Sequence, residues 1–303
     1  MVVHLTNKIH NLEQKADLAL GDCVIDIGSN DATSLKAYQT KGIKRLGVDP
    51  TGEKFRQFYT DDIQLIPDFF PSSEVEKIVG GSRVKIITSI AMFYDLEDPI
   101  AFARAIHDAL DKEGIWHFEQ SYMPSMLRLN SYDTICHEHI EYYSLFSVKY
   151  ILDRADMKIV DVQMNGVNGG SFAVTAAKKT SSIKSNDTLI NWLYDQELKM
   201  GFDTPKPFRD FEERVYSHRQ SLGTLISALN SDKKKILGYG ASTKGNVVLQ
   251  FCNLTDKDII AVAEVNQDKF GCYTPGSNIP IISEKDAARM EPDYYLVLPW
   301  HFR

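Results

Sequence analysis

The chain is poor in cysteine: Cys23, Cys136, Cys252 and Cys272 are its four, scattered and without a CxxC pair. That excludes a disulfide framework and a zinc ribbon, and reduced thiols fit a cytosolic setting. No apolar run approaches the length of a membrane span, and the N-terminus lacks the basic-then-apolar layout of a leader. A cytoplasmic protein without a membrane partner is expected. Positive charge is also short. A formal net charge of −7 argues against a broad nucleic-acid surface, although not against a local cationic pocket for an anionic small molecule. No short-period repeat or low-complexity segment occurs. What remains is an ordinary globular composition, 43% hydrophobic and 25% charged over 303 residues, with length for two domains. Oligomeric state is not legible.

Leu5, Ile9, Leu12 and Ala16 recur at helical spacing and predict an N-terminal amphipathic helix. A buried strand over Cys23–Ile27 then runs into Gly28-Ser29-Asn30-Asp31, with a helix expected over Thr33–Lys41. A second strand, Arg45–Val48, ends in Asp49. This strand–glycine turn–helix–strand–acid order opens a doubly wound sheet, in which an acid at the second strand tip accepts ribose hydroxyls. The turn is not GxGxxG, so the backbone glycines that admit a pyrophosphate are missing. The pattern therefore favours a nucleoside without phosphates, S-adenosyl-L-methionine, over NAD. Asp26, Gly28, Asn30 and Asp49 are its candidate contacts, with Ser89 after the fourth strand. Asp68 and Phe69, after a third strand at Ile63–Ile66, would offer an acceptor and an apolar wall to adenine. The competing reading makes Asp26 and Asp49 caps of neighbouring helix ends.

Strand Val84–Thr88 is followed by a helix opened by Asp98-Pro99, a preferred N-cap and first residue. Strand Ile115–Gln120 comes next. A helix capped by Ser147 and an antiparallel strand pair, Lys158–Met164 and Ser171–Ala177, complete the sheet. Gly169-Gly170 reads either as a hairpin turn or as a site for close approach. The polar stretch Lys178–Asn186 places a boundary near 180, with one domain over residues 1–180 and a second over 181–303. Two long helices, Asp187–Lys199 and Phe208–Asn230, precede a second strand, glycine turn and helix start, Lys235–Gly245. There amide groups and Lys244 could hold a diphosphate. It matches neither a dinucleotide fingerprint nor a P-loop. Strand Ile259–Val265, carrying Glu264 and followed by Lys269, a helix over Ser283–Met290 and strand Tyr294–Leu298 make the second domain α/β as well.

Ser131–Ser144 reads SYDTICHEHIEYYS. Neither helix nor strand periodicity explains His137, Glu138, His139, Glu141, Tyr142 and Tyr143 beside Cys136. Such clusters shift pKa values and mark chemistry, although hydrogen-bonded structural loops do the same. Following the fifth strand, the segment is expected over the nucleoside site. Cys136, His137 and His139 supply only three ligand-type side chains, short of a structural zinc set.

VIDIGSNDAT, ITSIAMFYDLEDP, SYDTICHEHIEYYSL, NGGSF, GYGASTKGN, EVNQDKFG and LPWHFR together resemble the sugar C-methyltransferases that act on nucleotide-linked deoxy-keto-sugars. The resemblance implies a Rossmann-like class I S-adenosylmethionine-dependent methyltransferase domain followed by a second Rossmann-like α/β domain that helps bind the sugar nucleotide. It implies S-adenosyl-L-methionine as cofactor and carries the family's glutamate–histidine pair onto Glu138 and His139. His139 would take a proton beside the keto group, with Glu138 orienting it. Tyr94, Tyr142, Tyr143 or His137 would donate to the enolate. His137, Gly169, Gly170, Tyr239, Lys244, Glu264 and Lys269 are the implied substrate contacts. Family members usually begin with a small zinc-binding domain that is not recognised here, so no metal is expected. Where some members have a histidine after strand four, a tyrosine before the key histidine and a histidine before the paired glycines, this chain has Asp95, Cys136 and Asn168. An O- or N-methyltransferase of a sugar nucleotide, a nucleotide-sugar NAD-dependent oxidoreductase and a non-catalytic sugar-nucleotide-binding module are the alternatives.

Overall fold

Cys23–Ile27 (β1) is buried along its whole length, as a central strand covered on both faces must be. In the computed structural model, which describes residues 1–300, it lies in a sheet with Lys44–Val48 (β2), Ile63–Ile66 (β3), Val84–Ile90 (β4), Ile115–Ser121 (β5), Met157–Asn165 (β6) and Ser171–Lys178 (β7). The order is β3-β2-β1-β4-β5-β7-β6. The first five strands are parallel, and β7 is antiparallel to both β5 and β6. This sheet organises the first of two units, Met1–Tyr122, Glu141–Gly166 and Gly170–Lys199; the second comprises Met123–Ile140, Val167–Gly169 and Met200–Arg303.

Alternation along the strands separates two cores. Ile25, Ile27, Ile87, Trp116, Phe118 and Phe172 face one side with Phe93, Phe102 and Tyr143. Val24, Ile86 and Ile115 face the other with Ile9 and Leu12 of the helix Val2–Lys15 (α1). Trp116 and Phe118 pack with tilted rings, centroids 4.3 Å apart, and burying each such ring is worth about 1.5–3 kcal/mol. Helix α1 is also tied by charge. Its Lys8 ammonium lies 2.7 Å from Glu119 Oε2 and donates to His117 Nε2 at 3.1 Å. His4 Nε2 lies 2.8 Å from Glu119 Oε1. His117 then donates from Nδ1 to Thr175 Oγ1; burial, and then the Lys8 charge, keep this imidazole well below its usual pKa and neutral.

Three expectations change. The helix after the first turn stops early, spanning only Thr33–Lys36 (α2), because Glu13 Oε1 of α1 accepts the amides of Gln39 and Thr40. The helix Leu145–Arg154 (α6) is capped by Ser144, with Ser147 as the reciprocal member of the capping box. Helices Ser73–Val79 (α3) and Met123–Arg128 (α5) were not expected. Pro99–Ala109 (α4) is capped by Asp98 as its sequence implies, and Asp187–Lys199 (α7) closes the first unit.

The second unit carries Lys206–Ser231 (α8), Ile236–Tyr239 (β8), Thr243–Phe251 (α9), Val262–Glu264 (β9), Ile281–Ser283 (β10), Glu284–Arg289 (α10) and Tyr294–Val297 (β11). Its four strands are all parallel, in the order β10-β9-β8-β11. The direction of winding reverses between β8 and β11. The short strand β10 was not expected. His301 to Arg303 of the LPWHFR motif lie outside the described residues. Among the described residues no helix is long and apolar enough to cross a membrane.

Candidate active site

In the first unit the candidate donor contacts gather where β1, β2 and β4 end. Asp26 is buried, and Thr88 Oγ1 donates to its Oδ1 at 2.5 Å. Burial drives this carboxyl up to about 7, the Thr88 bond works against the rise, and the nearby Asp49 charge adds to it. Gly28 adopts φ +74°, and a Cβ there would meet Met92 at 3.3 Å, so glycine keeps the turn open. Asp49 Oδ2 accepts the Asn30 amide at 2.9 Å, while Oδ1 accepts the Thr51 amide and hydroxyl, each at 2.8 Å. A carboxylate offers about four acceptor positions, so Asp49 both holds the turn and keeps roughly one for a ligand hydroxyl.

Other candidates are differently placed. The Ser89 hydroxyl is fully buried and accepts the Trp116 indole N–H at 2.9 Å. Asp68 Oδ1 accepts the Phe69 amide at 2.7 Å, and the Phe69 side chain is 74% exposed. Tyr94 and Tyr142 are half-buried, and the Tyr94 carbonyl accepts the Glu141 amide at 3.0 Å. Tyr143 is buried against Phe93, rings stacked 5.0 Å apart, with no hydroxyl partner among the described residues.

The residues missed by sequence reasoning are Tyr59, Gln120 and Glu197. Tyr59 bonds the Ser29 hydroxyl at 2.7 Å, across a Gly47 whose Cβ would lie 2.7 Å from that same oxygen; the mid-strand glycine was its signal. Gln120, 2% exposed at the end of β5, has neither carboxamide atom paired among the described residues. Glu197 of α7 is fully buried and accepts the Tyr122 hydroxyl and the Leu145 and Phe146 amides, each at 2.7 Å. It thereby satisfies the first amides of α6.

The second unit holds the glutamate–histidine pair. His139 Nδ1–H donates to the Thr134 carbonyl at 2.9 Å, and its amide donates to the Cys136 carbonyl. Burial lowers the imidazole's pKa, the Thr134 carbonyl opposes that, and the Lys244 charge adds to the lowering. Residues 132–134 are pinned in turn. The Tyr132 hydroxyl bonds His218 Nδ1 at 3.0 Å and Cys252 Sγ at 3.4 Å. Asp133 Oδ2 accepts the Trp300 N–H at 3.0 Å. Glu138 is exposed but close enough to His139 to favour its charged form.

His137 is exposed, on the rim of a 600 Å³ cavity beside Cys136, Thr243, Asn246 and Gln250. Lys244 is half-buried near Asp133, Cys136 and His139. Glu264 Oε2 accepts the Ala241 amide at 2.8 Å, and Oε1 accepts those of Val265 and Asn266. Burial raises its pKa, but these three amide bonds prevail and hold it below the usual range. Lys269 donates to the Ala241 carbonyl at 2.8 Å. Glu264 thus fastens the glycine turn of its unit as Asp49 fastens the first turn of the other. Tyr239 donates to Glu284. Gly169 and Gly170, both at positive φ, form the β6–β7 turn, and the Gly170 carbonyl accepts the Tyr122 amide at 3.0 Å. Among the described residues no group of three or more His, Cys, Asp or Glu is placed to hold a metal.

A parallel sheet closed by an antiparallel last pair, with an acid–Ile–Gly turn after its first strand, is the architecture of class I methyltransferases. The chain belongs to the methyltransferase-domain family, whose model its residues 5–162 match, and residues 166–303 match the C-methyltransferase C-terminal domain. It is an enzyme of that class, with S-adenosyl-L-methionine as cofactor. A curated relative, the C-methyltransferase NovU of Streptomyces niveus, is 28% identical over all of this chain and 72% of its own length. Among solved structures, the magnesium protoporphyrin IX methyltransferase of Synechocystis, with S-adenosylhomocysteine bound, aligns at TM-score 0.45 and 12% identity over 58% of this chain and 83% of its own. A methyltransferase of Aquifex aeolicus aligns at TM-score 0.41 and 16% identity, over 55% and 88%.

Proposed function

We propose that the protein methylates a carbon of a nucleotide-linked keto-deoxysugar, with His139 as the base that removes the proton beside the keto group. The observation that carries this reading is the His139 ring. Its Nδ1–H is committed to the Thr134 carbonyl, which assigns the basic lone pair to Nε2. The lowered pKa favours the neutral imidazole, the form a general base needs. Glu138 favours the imidazolium formed when the proton arrives.

The first unit holds the cofactor. The Asn30–Asp49 turn and Gly28 fit a nucleoside that brings no phosphates, and when bound S-adenosylmethionine supplies the electrophilic methyl group. Tyr143 has a buried hydroxyl without a partner among the described residues and is a candidate to donate to the developing enolate oxygen. Lys244 brings positive charge toward the substrate's phosphates. Scattered reduced cysteines suit a cytoplasmic location.

The test is incubation with methyl-labelled S-adenosylmethionine and nucleotide-linked keto-deoxysugars in deuterated water. Label on a sugar carbon, with solvent deuterium entering beside the keto group, supports the reading. Label on oxygen or nitrogen, or transfer without exchange in substrate analogues, overturns it.

A further inference from the structure

The turn that follows β1 is strained. Gly28, Asn30 and Ala32 all adopt positive φ, at +74°, +44° and +59°. Glycine takes that region freely, whereas a Cβ there crowds the following carbonyl, a conformation that asparagine visits occasionally and alanine seldom. Ala32 is fully buried as well. Such conformations persist only where the surroundings over-determine them. Part of the holding is local. Asp31 Oδ1 accepts the Thr33 amide at 3.1 Å and its hydroxyl at 2.6 Å, and the Ala32 amide donates to the Ser29 carbonyl at 2.8 Å. Asp49 holds the Asn30 amide from the tip of β2.

A further tie comes from the connection between β2 and β3. Tyr59 follows the 3-10 segment Gly52–Phe58, and its amide donates to the Arg56 carbonyl at 3.1 Å. Its ring packs against the core that contains Tyr38 and Ile63, which leaves the ring little freedom to turn its hydroxyl elsewhere. That hydroxyl shares a bond of 2.7 Å with Ser29 Oγ, 30 residues away in the chain. The two hydroxyls meet over Gly47. A Cβ on that residue would lie 2.7 Å from Ser29 Oγ and 2.9 Å from the Tyr59 hydroxyl, closer than real contacts allow. Glycine inside a strand weakens it and marks a close approach, and here what approaches is this hydroxyl pair. Burial pushes the Tyr59 phenol up to about 12, with Ser29 opposing the rise and Asp26, Asp49 and Asp31 adding to it, so the hydroxyl keeps its proton.

We propose that Tyr59 is a positioning residue of the cofactor site, which through Ser29 holds the backbone of the Gly28–Asn30 turn in the shape that receives S-adenosylmethionine. The inference rests on the placement of the cofactor proposed above and adds to it a residue that acts without touching the ligand. Because the tie works on the backbone and not on the sulfonium, it supports S-adenosylmethionine and S-adenosylhomocysteine alike.

Calorimetry on the full chain with these two ligands tests this. Tyr59→Phe, which keeps the ring and removes the hydroxyl, should weaken both by about threefold to tenfold, the worth of one hydrogen bond. Ser29→Ala should match it, and the double variant should be no weaker than the poorer single one, as for residues that act through one bond. Gly47→Ala should weaken both ligands at least as much, because its methyl wedges the pair apart. Phe58→Leu, at a neighbouring ring that is 46% exposed, should change either affinity by less than about twofold, below the worth of one hydrogen bond. A protein that stays folded shows no change in Kd from lost stability alone, so affinity is a readout that a merely structural bond would not move.

A lower melting temperature as the sole effect of Tyr59→Phe would overturn the assignment. So would a loss confined to S-adenosylmethionine, additive losses in the double variant, or an equal loss in Phe58→Leu. The two readings fail separately. If Gly28→Ala and Asp49→Ala also bind both ligands as before, the cofactor does not use this turn and the proposed placement falls. If they lose binding while Tyr59→Phe does not, the tie alone is refuted.

Discussion

Replacing Gln120 by methionine should stabilise the protein. The side chain is 2% exposed, and both carboxamide atoms lack partners among the described residues. It extends from the face of β5 that carries Trp116 and Phe118, so methionine of similar length occupies the same space without polar atoms and can contact aromatic rings favourably. Removing an unsatisfied buried amide recovers about 1–3 kcal/mol. For a unit of this size each kcal/mol corresponds to roughly 2–4 °C in Tm, so a rise of at least about 2 °C is expected. Thermal and guanidinium unfolding of the ligand-free protein measure it. A Tm lowered by Gln120→Met would refute the reasoning, because it would mean that the amide is hydrogen-bonded in the folded protein. A stabilised variant with weakened turnover would identify the missing partner as a ligand.

Three further outcomes are expected. His139→Gln should retain cofactor and nucleotide affinity but lose roughly 10²–10⁴ in kcat; the wild-type acid limb should fall below the usual histidine value of about 6.5, as burial and then the Lys244 charge outweigh the Thr134 carbonyl, and rate profiles would show it. Asp26, raised by burial to about 7, holds a proton in the native state that the unfolded chain releases near the ordinary carboxylate pKa of about 3.9. Its contribution is therefore full at low pH and is lost as pH rises through that window, by an amount on the order of a few kcal/mol; melts across the range should show this slope, and Asp26→Asn should flatten it. Glu197→Gln weakens the bonds to the Tyr122 hydroxyl and the Leu145 and Phe146 amides and should cost about 1.5–3 kcal/mol in denaturant unfolding.

Legibility followed the range of the interactions. The strands ending at Ile27, Val48 and Ile66 could be read because apolar runs and turn residues act locally, and Asp98-Pro99 carries its own cap. Helix α2 was overextended because the competing acceptor, Glu13, lies 26 residues from Gln39. The glycine turns and their acids were legible as βαβ signals. That Asp49 and Glu264 spend most of their oxygens on turn amides was not, since those bonds follow from backbone geometry. Gln120 left no trace: a glutamine near a strand end reads as solvent-facing until its neighbours enclose it.

The sequence by itself determined the succession of the seven strands of the first sheet, the Asp98 cap of α4 and the concentration of titratable groups in Ser131–Ser144, because periodicity and capping act within a few residues. Tertiary structure decided which carboxylate closes the start of α6, and where a buried amide and hydroxyl go unpaired among the described residues. For α6 that carboxylate, Glu197, lies 52 residues from Leu145 in the chain, and only packing chooses among such distant partners.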